Sequence, residues 1–280
     1  MSTEVGLKTE STERTPQERV NMLLEEAGKL RFEGQMDAAT KELESAMDQA
    51  RATPYEIEFQ TRIRLVMTLS DLYLDRGEID RALALLAEES AFTERISQIM
   101  QATGTPTQRR SAVSGHLQIR DRATQIGLIG RPAPGLSVKR WINGEPVALE
   151  DLRGRVVLLE FWATWCKPCQ EMFPKLKQLH EEHGERGLEV LALTRHYLAF
   201  KGTPEAMEEE LQLMRNMIRD HGVEFRVGVA EDEQLQTAYG ANGIPTIVLI
   251  DRQGLVRYVG PGGEDRRFSE TLRAHIHGAQ

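Results

Sequence analysis

The chain contains only two cysteines, Cys166 and Cys169, among its 280 residues. Small secreted domains that depend on disulfides carry many cysteines in a short chain, so that class of protein is excluded. A chain of this length can bury a core without covalent cross-links. A bridge that closes so short a loop would also add little stability. The pair therefore points to chemistry, either at a metal ion or in a redox reaction.

The chain also lacks positive charge in excess. Its formal net charge is -8, and residues 1–100 hold 20 acidic residues against 12 basic ones, while the remainder holds 23 of each. There is no run of Lys and Arg and no basic face that could neutralise phosphates. Nucleic acid is therefore not expected as a partner.

Long apolar stretches are absent as well. None approaches the roughly 18 residues that span a bilayer, so no membrane span is expected. Residues 1–15 form a polar tail, whereas a secretory signal has a basic start and an apolar core. As written, the sequence predicts a cytoplasmic protein. A chain from which a signal segment had been trimmed would look the same and would be periplasmic or otherwise extracytoplasmic.

A helical domain is predicted for residues 16–125. A Thr-Pro pair followed by Glu or Gln occurs at Thr15, Thr53 and Thr105. Each motif places Thr at an N-cap, Pro in the first turn and Glu or Gln where a capping box needs it, so each predicts the start of a helix. Apolar residues recur at helical spacing after the first two motifs.

Two similar turns divide these helices, at Gly34 in "RFEGQMDAATKEL" and at Gly77 in "LDRGEIDRALALL". Both resemble the helix-turn-helix unit of tetratricopeptide repeats. Any helical hairpin favours Gly in its turn, however, so the pattern leaves open whether this domain is repeat-like or a plain helical bundle.

From residue 126 to 280, short β-rich runs alternate with polar helical stretches, which is typical of an α/β domain. The expected strands are "VVLLEFW", "LEVLALT", "FRVGVA", "TIVLID" and "LVRYVG". The segment "GLIGRPAPG" precedes them. Its prolines and glycines predict a linker without a helix or a central strand.

A zinc site is one interpretation of the cysteines, because His180 and His183 follow them at a spacing close to that of a zinc finger. A single helix through this segment would place His180 about 16 Å along the axis from Cys169. Zinc ligands must all lie within about 2.3 Å of the ion. A metal site is therefore not expected.

A redox couple needs Cys-x-x-Cys at the junction of a strand and a helix, where the helix amides favour a thiolate. The sequence supplies this junction: the apolar run Val156–Phe161 is followed by the cysteines, with Pro168 near the first helical turn. Near a βαβ pattern, this motif indicates a thioredoxin-like domain. No cofactor is expected beyond the redox-active disulfide Cys166–Cys169.

Residues 130 to 276 resemble the TlpA/ResA-like redoxins, which are thiol-disulfide oxidoreductases of thioredoxin fold. The motif "FWATWCKPC" and the distant "GIPT" carry this resemblance, because both occur in order. The resemblance implies a cis peptide bond at Pro245, facing the cysteines. It also implies that the backbone of Ile244 pairs with a bound substrate strand. Cis proline is otherwise uncommon.

Two positions depart from the pattern of this family. Met172 stands where many members have an acidic residue, and Glu160 stands where the family often has Asn and thioredoxins have Asp. A carboxylate in an apolar strand is costly unless it has a partner or a task. We interpret Glu160 as functional. The alternative is a solvated Glu at a strand end, or one paired with Arg155 or Lys139.

These residues suggest roles in disulfide exchange. Cys166 would attack a substrate disulfide as the thiolate, and Cys169 would resolve the mixed disulfide. Glu160, with a pKa raised by burial, would accept the proton of Cys169. Trp165 would shield the site. Lys167 would favour the thiolate through its charge, or would simply be an exposed loop lysine.

The segment "TRHYLAFKG" follows the run "LEVLAL" and so lies at the carboxyl end of an expected parallel strand. Open α/β sheets bind ligands at this edge. His196 and Tyr197 are therefore predicted to border the substrate groove, with a merely solvated histidine as the alternative.

We predict an all-α helical domain followed by an α/β thioredoxin fold that reduces protein disulfides. The expected partners are a disulfide-bearing protein client and an unidentified electron donor, with docking through the helical domain. A peroxide-reducing redoxin is disfavoured, because Ala163 stands where peroxiredoxins have Thr. The third candidate is an interaction or scaffold protein with a thioredoxin-like domain.

Overall fold

The computed structural model of the protein describes residues 14–198, 202–261 and 266–277. Most of the predicted polar tail, residues 1–15, therefore lies outside the described residues. The last residue of the predicted tail, Thr15, is the N-cap of the first helix.

The amino-terminal part of the described chain is all-helical, as predicted. Its helices are α1 (Pro16–Phe32), α2 (Met36–Ala52), α3 (Phe59–Asp75), α4 (Ile79–Thr103) and α5 (Pro106–Leu128). Across the described ranges, no helix combines the length and the apolar character that crossing a membrane requires.

The first four helices form two hairpins, with their turns at the predicted glycines. Gly34 separates α1 from α2 with a φ of 80°, and Gly77 separates α3 from α4 with a φ of 73°. Side chains rarely tolerate this left-handed conformation, whereas glycine adopts it freely. Each turn therefore depends on its glycine.

Two of the three helix starts predicted from Thr-Pro motifs are confirmed. The hydroxyl oxygen of Thr15 accepts a hydrogen bond from the N–H of Glu18 at 3.2 Å. In the same way, the hydroxyl of Thr105 accepts from the N–H of Gln108 at 3.3 Å. In both motifs the longer side chain accepts in return from the N–H of its threonine, which completes a capping box.

The helix start predicted at Thr53 is wrong, because α3 begins only at Phe59. Thr53 instead terminates α2: its N–H and its hydroxyl both donate to the carbonyl of Gln49, each at 3.0 Å. The hydroxyl is thereby engaged with the preceding helix and does not cap a following one. The N–H of Glu58, at the true start, donates to the side chain of Gln17 at 2.6 Å.

A buried ion pair joins α3 to α4 within the second hairpin, and its arginine also binds α2 of the first hairpin. The guanidinium of Arg62 binds the carboxylate of Glu89 through two hydrogen bonds of 2.7 Å, and a third, of 2.8 Å, goes to the carbonyl of Ala50. It also lies 3.8 Å from the ring centroid of Phe92. Arg62 is 4% exposed and Glu89 is fully buried, so each charge depends on the other for solvation.

The chain divides into two compact units, the first ending at Ile119 and the second beginning at Arg120. The sequence-based division lies between residues 125 and 126. Both positions fall inside α5, which therefore begins in the first unit and ends in the second.

The second unit contains a mixed sheet, which has six strands within the described residues, in the order β1-β4-β3-β2-β5-β6. The strands are β1 (Val138–Asn143), β2 (Val156–Phe161), β3 (Leu188–Arg195), β4 (Arg226–Ala230), β5 (Thr246–Ile250) and β6 (Val256–Pro261). Strands β2, β3 and β4 run parallel, whereas β5 runs antiparallel to β2. All five predicted strands are present.

Helices cover both faces of this sheet. Alternation along β2 directs Val156 and Leu158 to one face, and Val157 and Leu159 to the other. The first face packs against α6 (Lys167–His183), α7 (Pro204–Asp220) and α9 (Arg266–His277). The second packs against α8 (Gln234–Ala238) and a short 3-10 helix, Leu149–Leu152. The layers confirm the predicted α/β architecture.

Strand β1 and the linker differ from the sequence-based prediction. β1, with the sequence "VKRWIN", lies at the edge of the sheet with irregular pairing to β4, and this exposed position tolerates a pattern that does not look like a strand. In the linker, α5 continues through Gly127 to Leu128. Beyond it, the N–H of Ala133 donates to the carbonyl of Gly254 at 3.0 Å. The linker is therefore hydrogen-bonded to the turn that precedes β6.

Replacing Glu89 by Gln should lower the free energy of unfolding by roughly 3 kcal/mol, because the Arg62 charge would stay buried without its counter-ion. The matched control is Glu88→Gln. Glu88 pairs with Arg51 at 2.7 Å but is 51% exposed, so its loss should cost at most about 1 kcal/mol. Urea unfolding followed by far-ultraviolet circular dichroism measures both. Equal losses would contradict the assigned importance of burial.

Candidate active site

The two cysteines lie where β2 leads into α6, and they are joined as a disulfide. Cys166 is the N-cap of α6, and its sulfur accepts a hydrogen bond from the N–H of Cys169 at 3.3 Å. Pro168 occupies the first turn, where a missing N–H costs nothing. A sulfur at a helix N-terminus faces the positive end of the helix dipole, which favours the thiolate in the reduced protein.

Of the two cysteines, only Cys166 retains exposed surface. Cys166 is 4% exposed, whereas Cys169 is fully buried in the cluster that contains Trp162, Met172 and Phe173. An external disulfide would therefore meet Cys166 before Cys169. Because Met172 stands where many members of the resembled family have an acidic residue, the surroundings of Cys169 are apolar on this side.

The loop that presents Cys166 is held by hydrogen bonds on both sides. The hydroxyl of Thr194 donates to the carbonyl of Trp162 at 2.7 Å. The side chain of Gln170 donates to the carbonyl of Thr164 at 2.8 Å. Neither of these two hydrogen bonds is predictable from the sequence, because each joins residues whose proximity depends on the sheet or on the first turn of α6.

Glu160 is buried in the middle of the sheet. It lies opposite Ala192 of β3 and Ile247 of β5, and it shares with Leu158 the face that carries the cysteines. It has no exposed surface, and neither carboxylate oxygen has a hydrogen-bond partner among the described residues. Burial raises the pKa of this carboxyl well above its ordinary value.

The two cations considered as partners of Glu160 are engaged elsewhere. Arg155 lies 3.3 Å from the carboxylate of Glu189, and Lys139 pairs with Glu231. Glu160 is also not at a solvated strand end, because every residue of β2 is buried. A carboxyl without compensation in such a place is costly.

Pro245 is brought to the same edge of the sheet by the pairing of β2 with β5. Phe161, the last residue of β2, lies opposite Thr246, the first residue of β5, so the residue before β5 is next to the loop after β2. The Ile244–Pro245 peptide bond is cis, as the resemblance implies. Ile244 is half-buried and packs against the core.

Aromatic residues border the exposed side of the cysteines. The ring of Trp165 is 56% exposed and meets the ring of Tyr197 edge to face, with 5.5 Å between centroids. The guanidinium of Arg195 lies 4.3 Å from the ring centroid of Tyr197. The loop after β3 therefore lies beside Trp165, as its position in the sequence predicts. Lys167, the first residue of α6, is exposed.

His196 is held by a glutamate of α7. Its Nδ1 lies 3.1 Å from Oε2 of Glu210, and 16% of its side chain is exposed. The other oxygen of Glu210 accepts from the N–H groups of Tyr197 and Leu198, at 2.8 and 3.0 Å. Glu210 thus anchors the loop after β3.

Sequence reasoning missed Glu210, although one signal was present. It is spaced four and eight residues from Met214 and Ile218 on the buried stripe of α7. A glutamate on such a stripe needs a polar partner inside the protein.

The arrangement of α6 also bears on the zinc interpretation. His183 is the last residue of this helix of 17 residues, and the cysteines lie at its other end. Among the residues that the structure describes, no group of three or more His, Cys, Asp or Glu side chains is placed to hold a metal ion.

Known proteins share this domain. Residues 129–259 match the AhpC/TSA family. The thiol-disulfide oxidoreductase ResA of Bacillus thuringiensis (strain Al Hakam) is 33% identical over 128 residues, which is 46% of this chain and 66% of the relative. The ResA of Geobacillus thermodenitrificans is 31% identical over 148 residues, 53% of this chain and 76% of the relative. A thiol-disulfide isomerase from Corynebacterium glutamicum has a solved structure with 27% identity and a TM-score of 0.44, covering 53% and 97% of the two chains.

Replacing Glu160 by Gln should leave the oxidised protein at least as stable as the wild type, with an advantage that grows as the pH rises. In the unfolded chain this carboxyl ionises near its ordinary pKa, but in the folded protein its pKa is raised. Above the ordinary pKa, the folded state holds the proton more tightly, so wild-type stability falls with pH until the raised pKa is passed.

Glutamine carries no such proton and lacks this slope. Denaturant midpoints of both proteins, measured from about pH 4 to about pH 9, test the difference. The control is Glu171→Gln, which changes an exposed glutamate of α6. Parallel curves for Glu160→Gln and the wild type would show that Glu160 is not the source of a pH-dependent cost.

Proposed function

Because the chain belongs to the ResA family of thiol-disulfide oxidoreductases, we propose that it reduces disulfide bonds of client proteins through Cys166 and Cys169. The matched part spans 66% of the first ResA relatives, so the activity of the whole protein is part of the proposal. The observation that carries it is the cysteine pair at the start of α6, with one sulfur reachable and the other enclosed.

The first step is an attack by the reduced form. The Cys166 thiolate attacks one sulfur of the client disulfide, the client S–S bond breaks, and a mixed disulfide forms while the other client sulfur leaves as a thiolate. The helix dipole of α6 lowers the cost of the attacking thiolate.

The second step needs Cys169 to lose its proton in an enclosed, apolar place. We assign the carboxylate of Glu160 as the acceptor, because it lies on the face of β2 that carries the cysteines and because burial raises its pKa, which makes the ionised form a stronger base. The Cys169 thiolate then attacks Cys166, the mixed disulfide breaks, and the client leaves fully reduced. Cys166 and Cys169 end as the disulfide, and a dithiol donor must return two electrons for the next cycle.

The client is bound beside the cysteines. We propose that a client strand pairs with the backbone of Ile244, next to Pro245, and that Trp165 covers the exchanging sulfurs. Lys167 would add positive charge near the thiolate. For His196, the bond to Glu210 favours support of the groove wall over direct contact with the client.

The helical unit is assigned to partner docking and not to chemistry. This assignment rests on the position of every proposed catalytic residue in the second unit. The exchange needs no cofactor besides the disulfide. The cytosolic placement expected from the sequence stays a prediction, and reduction is the proposed direction because cytosolic thiols are kept reduced.

Peroxide reduction is the second enzymatic candidate, since the matched family is named for AhpC and TSA. Ala163 stands three residues before Cys166, where a peroxidase site would need the hydroxyl of Thr. The third candidate, a scaffold, gives no reason for an accessible sulfur at a helix N-terminus. Disulfide reduction therefore fits the site best.

Replacing Cys169 by Ser should trap clients, because the mixed disulfide at Cys166 then has no resolving thiol. Proteins captured from a lysate of the source cells should be released by dithiothreitol and should be absent with Cys166→Ser. A scaffold would capture partners regardless of Cys166. In a parallel assay, a peroxidase would oxidise its thiols faster with hydrogen peroxide than with oxidised insulin.

Replacing Glu160 by Gln tests the assigned base. The variant should form the mixed disulfide as fast as the wild type but release the client roughly 100-fold more slowly at neutral pH, the usual scale of general-base catalysis. The gap should narrow at alkaline pH, because hydroxide can then remove the proton of Cys169 without Glu160. Stopped-flow release of a chromophoric thiol from Cys166 measures this rate, and equal release rates would exclude Glu160 as the base.

A further inference from the structure

The carboxyl-terminal end of α5 contacts the loop that leads into the cis proline. Asp121, on this helix, accepts a hydrogen bond of 2.8 Å from the side-chain amide of Asn242. Burial raises the pKa of this carboxyl, while the side chain of Asn242 and the backbone N–H groups of Asn242 and Gly243 favour its charged form. Asp121 is 9% exposed, so these interactions are shielded from water. One carboxylate thus interacts with two consecutive residues of the loop.

A second set of contacts joins the same helix and loop. The side chain of Gln125, one turn further along α5, donates to the carbonyl of Gly240 at 2.7 Å. Gly240 has a φ of 60°, and a Cβ placed on it would lie 2.4 Å from the backbone carbonyl oxygen of Asp121. No side chain fits such an approach of two backbones. The loop is therefore shaped to receive α5.

The position of this loop matters for the proposed reaction. Asn242, whose side chain is bound by Asp121, and Gly243, whose N–H favours the charged form of that carboxyl, directly precede Ile244 and Pro245. The backbone of Ile244 is the edge on which a client strand would pair, so a displacement of Gly243 moves that edge. A hydrogen-bonding edge must be accurately placed, because misplacement by about 1 Å can cost a large factor in rate.

We propose that Asp121 is a positioning residue for the disulfide exchange, which holds the loop from Gly240 to Gly243 so that the backbone of Ile244 is ready to receive a client strand. This inference rests on the proposed function. Asp121 precedes residues 129–259, the part that matches the redoxin family, so the device belongs to the helix that comes before the family domain. A client that needs strand pairing depends on it, and a small disulfide does not.

The test compares Asp121→Asn with Asp251→Asn in the full chain. Asp251 is another buried carboxylate that holds a turn, accepting from the N–H groups of Gln253 and Leu255, each at 2.9 Å, and from Arg257 at 2.6 Å. It follows the last residue of β5, whereas Pro245 precedes the first. Each variant loses a charge that holds a turn at one end of β5, and only Asp121 contacts the turn at the end next to Pro245.

Two substrates separate positioning from general damage. With oxidised insulin as the client, Asp121→Asn should raise KM roughly tenfold, the scale of one or two lost hydrogen bonds to a charged group. With hydroxyethyl disulfide, which is too small to pair as a strand, its rate should equal that of the wild type. Asp251→Asn should lower thermal stability and leave both KM values unchanged.

A readout without activity keeps this inference distinct from the proposed function. Amide hydrogen exchange, measured by NMR on the oxidised protein, should speed up at Gly243 and Ile244 in Asp121→Asn and stay as in the wild type in Asp251→Asn. If Asp121→Asn does not fold, Asn242→Ala removes the side-chain donor to Asp121 and should raise the insulin KM in the same direction by a smaller factor.

Equal effects of Asp121→Asn on insulin and on the small disulfide would overturn the positioning role, as would unchanged exchange at Gly243. A wild-type protein that reduces neither disulfide, yet shows the expected change in amide exchange, would instead overturn the proposed function. The two failures therefore leave different signatures.

Discussion

The pairing of β2 with β3 on one side and with β5 on the other places every part of the site. β3 runs parallel to β2, so the loops after both strands, with Cys166 and Tyr197, emerge at one edge of the sheet. β5 runs antiparallel, so the residues before it, Ile244 and Pro245, come to that same edge. A register shift by one residue would reverse the faces of β2 and remove Glu160 from the side of the cysteines.

Two buried carboxylates of the protein differ in how their charge is compensated. Glu89 lies against Arg62 with both oxygens bound, so its charge is compensated inside the helical unit. Glu160 has no bound oxygen among the described residues, and its burial favours the neutral form. Such a group weakens the fold, and proteins commonly keep destabilising groups where activity needs them. The contrast between the two supports the assignment of Glu160 to chemistry.

The loops on the two sides of the loop after β2 are held in the same way. On one side, Glu210 of α7 binds the backbone N–H groups of Tyr197 and Leu198. On the other, Asp121 of α5 binds the loop before Pro245. Carboxylates that accept from several backbone donors can hold a loop whose own residues form no ladder. Loops held in this way can present reacting groups with little loss of conformational entropy on binding.

The sequence by itself determined what depends on neighbours along the chain. The buried strands appear as apolar runs, the hairpin turns as glycines, and the redox pair as Cys-x-x-Cys between a strand and a helix, because hydrogen bonding and periodicity within a few residues specify them. Tertiary structure decided the rest. Thr53 begins no helix because its hydroxyl donates to the carbonyl of Gln49, and β1 forms because β4 offers it an edge. The contacts of Asp121 and Glu210 depend on residues distant in sequence, and so does the absence of a hydrogen-bond partner for Glu160 among the described residues. The proximity of these residues follows only from the packed sheet and its helices.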